Sequence, residues 1–175
     1  MNPVATVAAA TVGLVLLIAA AAHARRPHRL VAALRTQAVV PPAAVVPVAA
    51  AVVTAEVVLG AVLLGDVTGL APAGAAGGPL AAFVLFACYA GYTEYLRRTR
   101  AGEVPCGCGD EQPVTPWVVA RAAALGAGSL VAAAGTVGRP GDLPALLVLT
   151  CAAVVFAVLL WQLPAAMHDP ERVGR

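Results

Sequence analysis

Long apolar stretches separated by short polar breaks run the length of this chain. Five of them, residues 4–22, 43–64, 80–96, 117–137 and 143–163, come near the ~20 residues that a helix needs to cross a bilayer. Ala, Val and Leu dominate them, with scattered Gly and no strict polar alternation, so they read as helices and not as barrel strands. Residues 66–78 hold Pro72 and the glycines Gly69, Gly74, Gly77 and Gly78, and read as an exposed loop. The run Gly138-Arg139-Pro140-Gly141-Asp142 reads as a tight turn. Residues 28–42 differ from the five runs. They carry Arg29, Arg35 and the pair Pro41-Pro42, while Leu30, Val31, Leu34 and Ala38 share one helical face. That pattern predicts a short helix lying in the interface, with a plain solvated loop as the alternative. There is no internal repeat and no sign of a second domain. The expected fold is an all-α membrane protein: one integral membrane domain over residues 1–175, a polytopic bundle of about five transmembrane helices with a short interfacial helix after the first.

Composition agrees. The chain is 61% hydrophobic and 11% charged, with a mean hydropathy of +0.87, against about 45–50% and about 25% for a soluble domain. Lysine is absent, so all eleven basic residues are arginine, and a net charge of +2 is too small to point to nucleic acid. The charges are informative by position. Arg25, Arg26, Arg29 and Arg35 follow the first run, Arg97, Arg98 and Arg100 the third, and Arg172 and Arg175 the fifth. With five crossings all of these fall on one side and only Arg139 on the other, with Arg121 just inside the fourth run near the rich side. The positive-inside rule makes the rich side cytoplasmic. Tyr92, Tyr95, Trp117 and Trp161 fall near the same side, as interfacial aromatics would. Ala22-His23-Ala24 resembles a signal-peptide cleavage site. No basic residue precedes the first run, however, and Arg25-Arg26 follows it, which favours a retained first helix.

The chemistry concentrates in Cys106-Gly107-Cys108-Gly109, in the polar segment between the third and fourth runs. A disulfide needs Cα atoms roughly 4.4–6.8 Å apart, and Gly107, with no Cβ, allows the tight fold that brings residues i and i+2 that close. Such a ring is small and strained, and strained, exposed disulfides suit exchange better than scaffolding. Arg97, Arg98, Arg100 and the start of the fourth helix would lower a thiol pKa, while Glu103, Asp110 and Glu111 oppose that. Two thiolates are also half of a zinc or copper site, but no histidine or further cysteine lies near them in sequence; an unreactive loop is the third reading. Cys88 and Cys151 lie inside runs and read as buried packing residues.

Glu56 stands near the middle of the second run, where a charge costs about 2.5–3.5 kcal/mol on insertion scales. It should face the bundle, be neutral or be paired. Arg121 is a candidate partner. The open readings are a proton or quinone site and an internal polar clamp. Glu94 and Arg98 have the i, i+4 spacing of a helix-end ion pair. Ala87/Gly91 and Ala122/Gly126 offer close helix approach.

Taken together, a first span, an amphipathic stretch ending in Pro41-Pro42, a span with Glu56 and then Gly60, a third span ending in Arg97-Arg98, the Cys106-Gly107-Cys108-Gly109 loop and a fourth span with Arg121 resemble the MauE branch of the MauE/DoxX redox-associated membrane proteins, over roughly residues 4–137. Members continue the loop as Cys-Gly-Cys-Phe-Gly; here the Phe is missing and Asp110 follows Gly109. The resemblance implies a helper in disulfide formation or redox maturation of exported proteins, first linked to methylamine dehydrogenase. Cys106 and Cys108 would then be the reacting thiols, supported by Gly107, Gly109, Glu56 and Arg121. It also implies a thioredoxin-like partner, and, by analogy of layout with quinone-linked thiol oxidases, a quinone as electron acceptor. It suggests extracytoplasmic thiols, whereas the arginines put the loop on the cytoplasmic side. Two other classes stay open: a non-catalytic membrane anchor subunit of a redox complex, and a small-solute or metal transporter with Glu56 as coordinating group. No cofactor or metal can be assigned from the residues alone.

Overall fold

The computed structural model describes residues 1–70, 77–100 and 114–167. They form six α-helices: α1 (Pro3–Arg25), α2 (Pro27–Gln37), α3 (Val45–Thr68), α4 (Gly78–Thr99), α5 (Pro116–Ala134) and α6 (Leu143–Ala166), with a 3₁₀ turn, Pro42–Ala44, leading into α3. No strand occurs among the described residues. The five long helices coincide with the five apolar runs, and α2 with the expected amphipathic helix. Four long segments, Pro3–Arg25, Pro42–Thr68, Pro116–Ala134 and Leu143–Ala166, are long and apolar enough to cross a membrane. The helix α4 is as long, at 22 residues, but its polar C-terminal third keeps it below that level. The fold is an all-α membrane bundle.

Local chemistry sets the helix ends. Asn2 caps α1 through Oδ1, which accepts from the backbone N–H of Val4 (3.0 Å) and Ala5 (3.3 Å), with Pro3 at the first helical position. The N–H of Asn2 also donates to the carbonyl of Thr136 (2.9 Å), tying the start of α1 to the chain leaving α5. Gly69 closes α3 at φ 74°, a left-handed conformation that glycine adopts without strain. Pro116 opens α5 and Pro144 lies in the first turn of α6.

The long helices alternate in direction. Gly78, at the start of α4, lies against Val62 and Asp66 near the end of α3, and Gly126, late in α5, lies against Phe83 and Phe86, early in α4. The alternation gathers Arg25, Arg26, Arg29, Arg35, Arg97, Arg98, Arg100 and Arg121 toward one end of the bundle and Arg139 at the other. Arg172 and Arg175 lie outside the described residues.

The helix α1 is the most buried of the apolar helices. Its Ala9, Val12, Val15 and Leu16 join Leu63, Ala82, Phe86, Leu125 and Ala157 in the main core. It crosses α3 where Gly13 meets Gly60: a Cβ built on Gly60 would lie 2.8 Å from Leu17 and 3.1 Å from the carbonyl oxygen of Gly13. Small residues at a crossing let the backbones approach, the main packing device in a bilayer. Thr11 adds a hydrogen bond from its hydroxyl to the carbonyl of Ala153 on α6 (3.4 Å). The outer surface of α6 is apolar, with Val148, Val155 and Leu159 exposed, as expected of a lipid-facing helix. The helix α2 lays Leu30, Val31 and Leu34 on Val45, Val48 and Ala49 of α3.

Three sequence expectations are corrected. Gly91 has open space around it and Ala87 is exposed, so that pair makes no helix crossing, whereas Ala122/Gly126 does pack into the bundle. Cys88 and Cys151 are exposed and do not fill the core, Cys88 lining a cavity between the helices. Tyr92 and Trp161 turn inward and line a cavity, leaving Tyr95 and Trp117 as the exposed pair. Glu94 does pair with Arg98, and also with Arg97, whose Nε donates at 2.7 Å.

Candidate functional site

The helix α1 packs closely on α3 and α4 on α5, whereas α3 and α4 meet less extensively, at Gly78 and Val62, and leave a gap elsewhere. The gap is a cavity of about 340 Å³, walled by all six helices. Its walls are mostly apolar, including Leu16, Leu34, Val48, Val52, Phe86 and Leu125. Its polar lining converges from different helices: His23 (α1), Gln37 (α2), Glu56 (α3), Tyr89 and Tyr92 (α4) and Arg121 (α5), with Trp161 (α6) beside them.

Glu56 is the centre of this group. It is 2% exposed and lies about 16 Å along α3 from its first residue, at 1.5 Å per residue. Tyr89 lies a similar distance from the end of α4, so antiparallel packing brings the two level. The Tyr89 hydroxyl donates to Oε1 of Glu56 at 3.1 Å. Nε2 of His23 stands 3.7 Å from the same oxygen, ion-pair distance when the imidazole is protonated. Tyr89 is held in turn by an edge-to-face contact with Phe86, centroids 6.0 Å apart and planes at 85°. A second pair lies one turn along α4, where the Tyr92 hydroxyl donates to Oε1 of buried Gln37 at 2.7 Å. The carbonyl of Tyr89 accepts from the hydroxyl of Thr93 (2.7 Å).

The expected Glu56–Arg121 pair does not form among the described residues. Arg121 lines the same cavity, but its guanidinium lies over the Trp161 ring, 5.6 Å from the centroid, a cation–π contact. His23 stands near Glu56 in its place. His23, Gln37, Tyr89 and Trp161 are therefore site residues that the sequence reading missed or placed elsewhere. Counting helix rise from each end would have put Tyr89 level with Glu56. His23 was hidden in the Ala22-His23-Ala24 motif.

Cys106, Gly107, Cys108 and Gly109 lie outside the described residues. Their anchors do not. The segment leaves α4 after Thr99 and rejoins the chain before Pro116, at the end of the bundle toward which the cavity's polar groups lie. Leu96 and Val114, both buried, pack together and pin the two anchors, and Tyr92 packs on them while bonding Gln37 in the cavity. Among the described residues no three of His, Cys, Asp and Glu gather as a metal-ligand set. Chemically, the cavity can hold an apolar molecule with a polar end, offer it hydroxyl and imidazole donors, and keep an exchangeable proton on Glu56 or His23.

The comparison with curated proteins gives no match, and neither does the comparison with solved structures. A family model described as methylamine utilisation protein MauE matches residues 1–138. That range covers α1 to α5 and every polar residue of the cavity, so the chain belongs to the MauE family of multi-pass membrane proteins.

Proposed function

We propose that this chain is a membrane-embedded thiol–disulfide redox protein of the inner membrane that supports disulfide formation or redox maturation of partner proteins. Cys106 and Cys108 are the reacting thiols, in a thiol–disulfide oxidoreductase working with a thioredoxin-like partner. Gly107 and Gly109 let the two thiols approach, and Glu56 and Arg121 act from the cavity. The whole chain forms the one domain that does this. The observation that supports the reading is the position of the described residues that flank 101–113. Leu96 on α4 and Val114 just before α5 pack together with Tyr92, and α4 and α5 both line the cavity, where Tyr92 bonds Gln37. In each turnover the two thiols give up two electrons and two protons as their disulfide forms, and a partner disulfide takes them up, or the reverse. Methylamine utilisation, the context in the family's description, is one setting for such maturation.

The test is redox-state trapping. Acid quench of growing cells followed by alkylation should find Cys106 and Cys108 as a mixture of dithiol and disulfide that shifts with added reductant or oxidant. Thiols that stay reduced throughout would favour the non-catalytic anchor subunit. Stoichiometric metal in the purified protein would favour the transporter.

A further inference from the structure

We propose that the cavity is a quinone site, in which Glu56, His23 and Tyr89 bind one ring oxygen and the Tyr92–Gln37 pair the other. This rests on the thiol–disulfide reading only for its electron donor; the binding site stands on the cavity itself. At about 340 Å³ the cavity is within the ~300–1,000 Å³ range of small-molecule sites. Its apolar walls within a membrane bundle select a lipid-soluble guest. Its polar groups favour a guest with oxygens over a plain acyl chain, which offers Tyr89, Tyr92 and His23 nothing to bond.

The arrangement of donors suits a guest with two separate oxygens, as a quinone has. Tyr89 and Tyr92 are three residues apart on α4, and their hydroxyls reach different helices, to Glu56 on α3 and to Gln37 on α2. Each hydroxyl now donates to a partner on another helix, and each can turn toward a carbonyl oxygen. Phe86 and Trp161 supply aromatic walls for the ring. The Arg121 guanidinium, stacked on Trp161, puts positive charge beside a ring that gains electron density on reduction. The cavity is not fully enclosed, and Cys88, which lines it, is exposed.

The step balances with no further reactant. The dithiol loses two electrons and two protons as the S–S bond forms. The quinone gains two electrons and two protons and becomes the quinol. The Glu56–His23 pair, 3.7 Å apart, holds the proton in transit.

The experiment uses the full chain in nanodiscs, carrying Trp117→Phe so that Trp161, which lines the cavity, is the remaining tryptophan. Decylubiquinone and menadione are titrated while Trp161 fluorescence is followed. Saturable quenching is expected from at least one. Glu56→Leu and Tyr89→Phe should each weaken it about tenfold, the worth of one hydrogen bond. Ala122→Phe, and Val52→Phe in case the first does not fold, should abolish it by filling the cavity. Absence of saturable quenching, unchanged affinity in the filled-cavity variants, or equal displacement by dodecanol would overturn the proposal. The thiols are scored in the same samples. Quinone binding with Cys106 and Cys108 never oxidised would keep this site and sink the thiol reading; thiols that cycle without any quinone binding would do the opposite.

Discussion

The Tyr89 hydroxyl on α4 hydrogen-bonds Oε1 of Glu56 on α3 at 3.1 Å, beside the cavity that both residues line. This polar contact joins the two helices at a point away from their apolar contact at Gly78 and Val62. Interhelical hydrogen bonds of this kind contribute about 0.6 kcal/mol on average and up to about 1.7. Tyr89→Phe should lower the detergent-solubilised protein's stability by roughly that range, read as a shift of the unfolding midpoint. Glu56→Gln keeps an acceptor of the same shape and should cost less. The double mutant should be less destabilised than the sum of the two singles, since both changes act on the same bond. Simple additivity would remove the bridge from the account. If Glu56→Gln changes neither stability nor thiol turnover, Glu56 has no role in function.

A second relationship lies on the other side of α3. Gly60 faces Gly13 of α1 so closely that an added Cβ would lie 3.1 Å from the carbonyl oxygen of Gly13, which is backbone and cannot swing aside. Gly60→Ala should force α1 and α3 apart by a few tenths of an ångström, and Gly60→Val should destabilise by about 1–3 kcal/mol, the usual cost of overpacking. Gly91→Ala is the control. It meets open space on a helix, so it should be neutral or slightly stabilising through helix propensity. Melting of the three variants side by side checks this, and equal melting of Gly60→Val and Gly91→Ala would contradict the crossing.

The spans were legible because bilayer length and apolar composition act on contiguous residues: every long helix falls on a predicted run. The short helix α2 was legible because Leu30, Val31 and Leu34 repeat at helical spacing between arginines. The site was legible in one residue, Glu56, whose charge is conspicuous among alanines and valines. Its partners were not. Tyr89 and His23 reach it from 33 residues on either side, and which face of a uniformly apolar helix turns inward is set by helix–helix contacts that carry little periodic signal. Tyr92 and Trp161 show the same ambiguity: an aromatic near a helix end fits either a lipid interface or a cavity wall. Cys88 and Cys151 were misplaced for that reason too. The Glu56–Arg121 pairing failed because opposite charge was the whole argument for it, and Arg121 found the Trp161 ring.

Topology is the third prediction. Alternating helices gather the arginines of α1, α2, α4 and α5 at one end. By the positive-inside rule that end is cytoplasmic, with the N-terminus outside. Reporter fusions at residue 175 and within residues 66–78 should therefore give opposite readings, cytoplasmic for the first and extracytoplasmic for the second. The same compartment for both would sink the five-span arrangement and would require α4 to lie without crossing. A reporter placed next to Cys106 should agree with the fusion at residue 175. An extracytoplasmic reading there would instead match the side implied by the resemblance to redox helpers of exported proteins.

The last prediction concerns the thiols. Exchange proceeds by attack of a thiolate on a disulfide, giving a mixed disulfide that the second thiol resolves. Only Gly107 separates Cys106 from Cys108, so attacker and resolver need no large movement to change places. Removing the resolver should strand the intermediate. Either thiol can be the attacker, so both single mutants are needed: Cys106→Ser or Cys108→Ser should accumulate a reducible adduct with a thioredoxin-like or substrate protein, seen as a shifted band on non-reducing gels. The double mutant should accumulate none. Cys88→Ser and Cys151→Ser should behave like the parent, since both are free cysteines outside the Cys106–Cys108 pair. An adduct that survives in the Cys106→Ser/Cys108→Ser double mutant and vanishes in Cys88→Ser would move the chemistry to the cavity mouth. No adduct in either loop mutant, with both loop thiols reduced in parent cells, would end the shuttle reading.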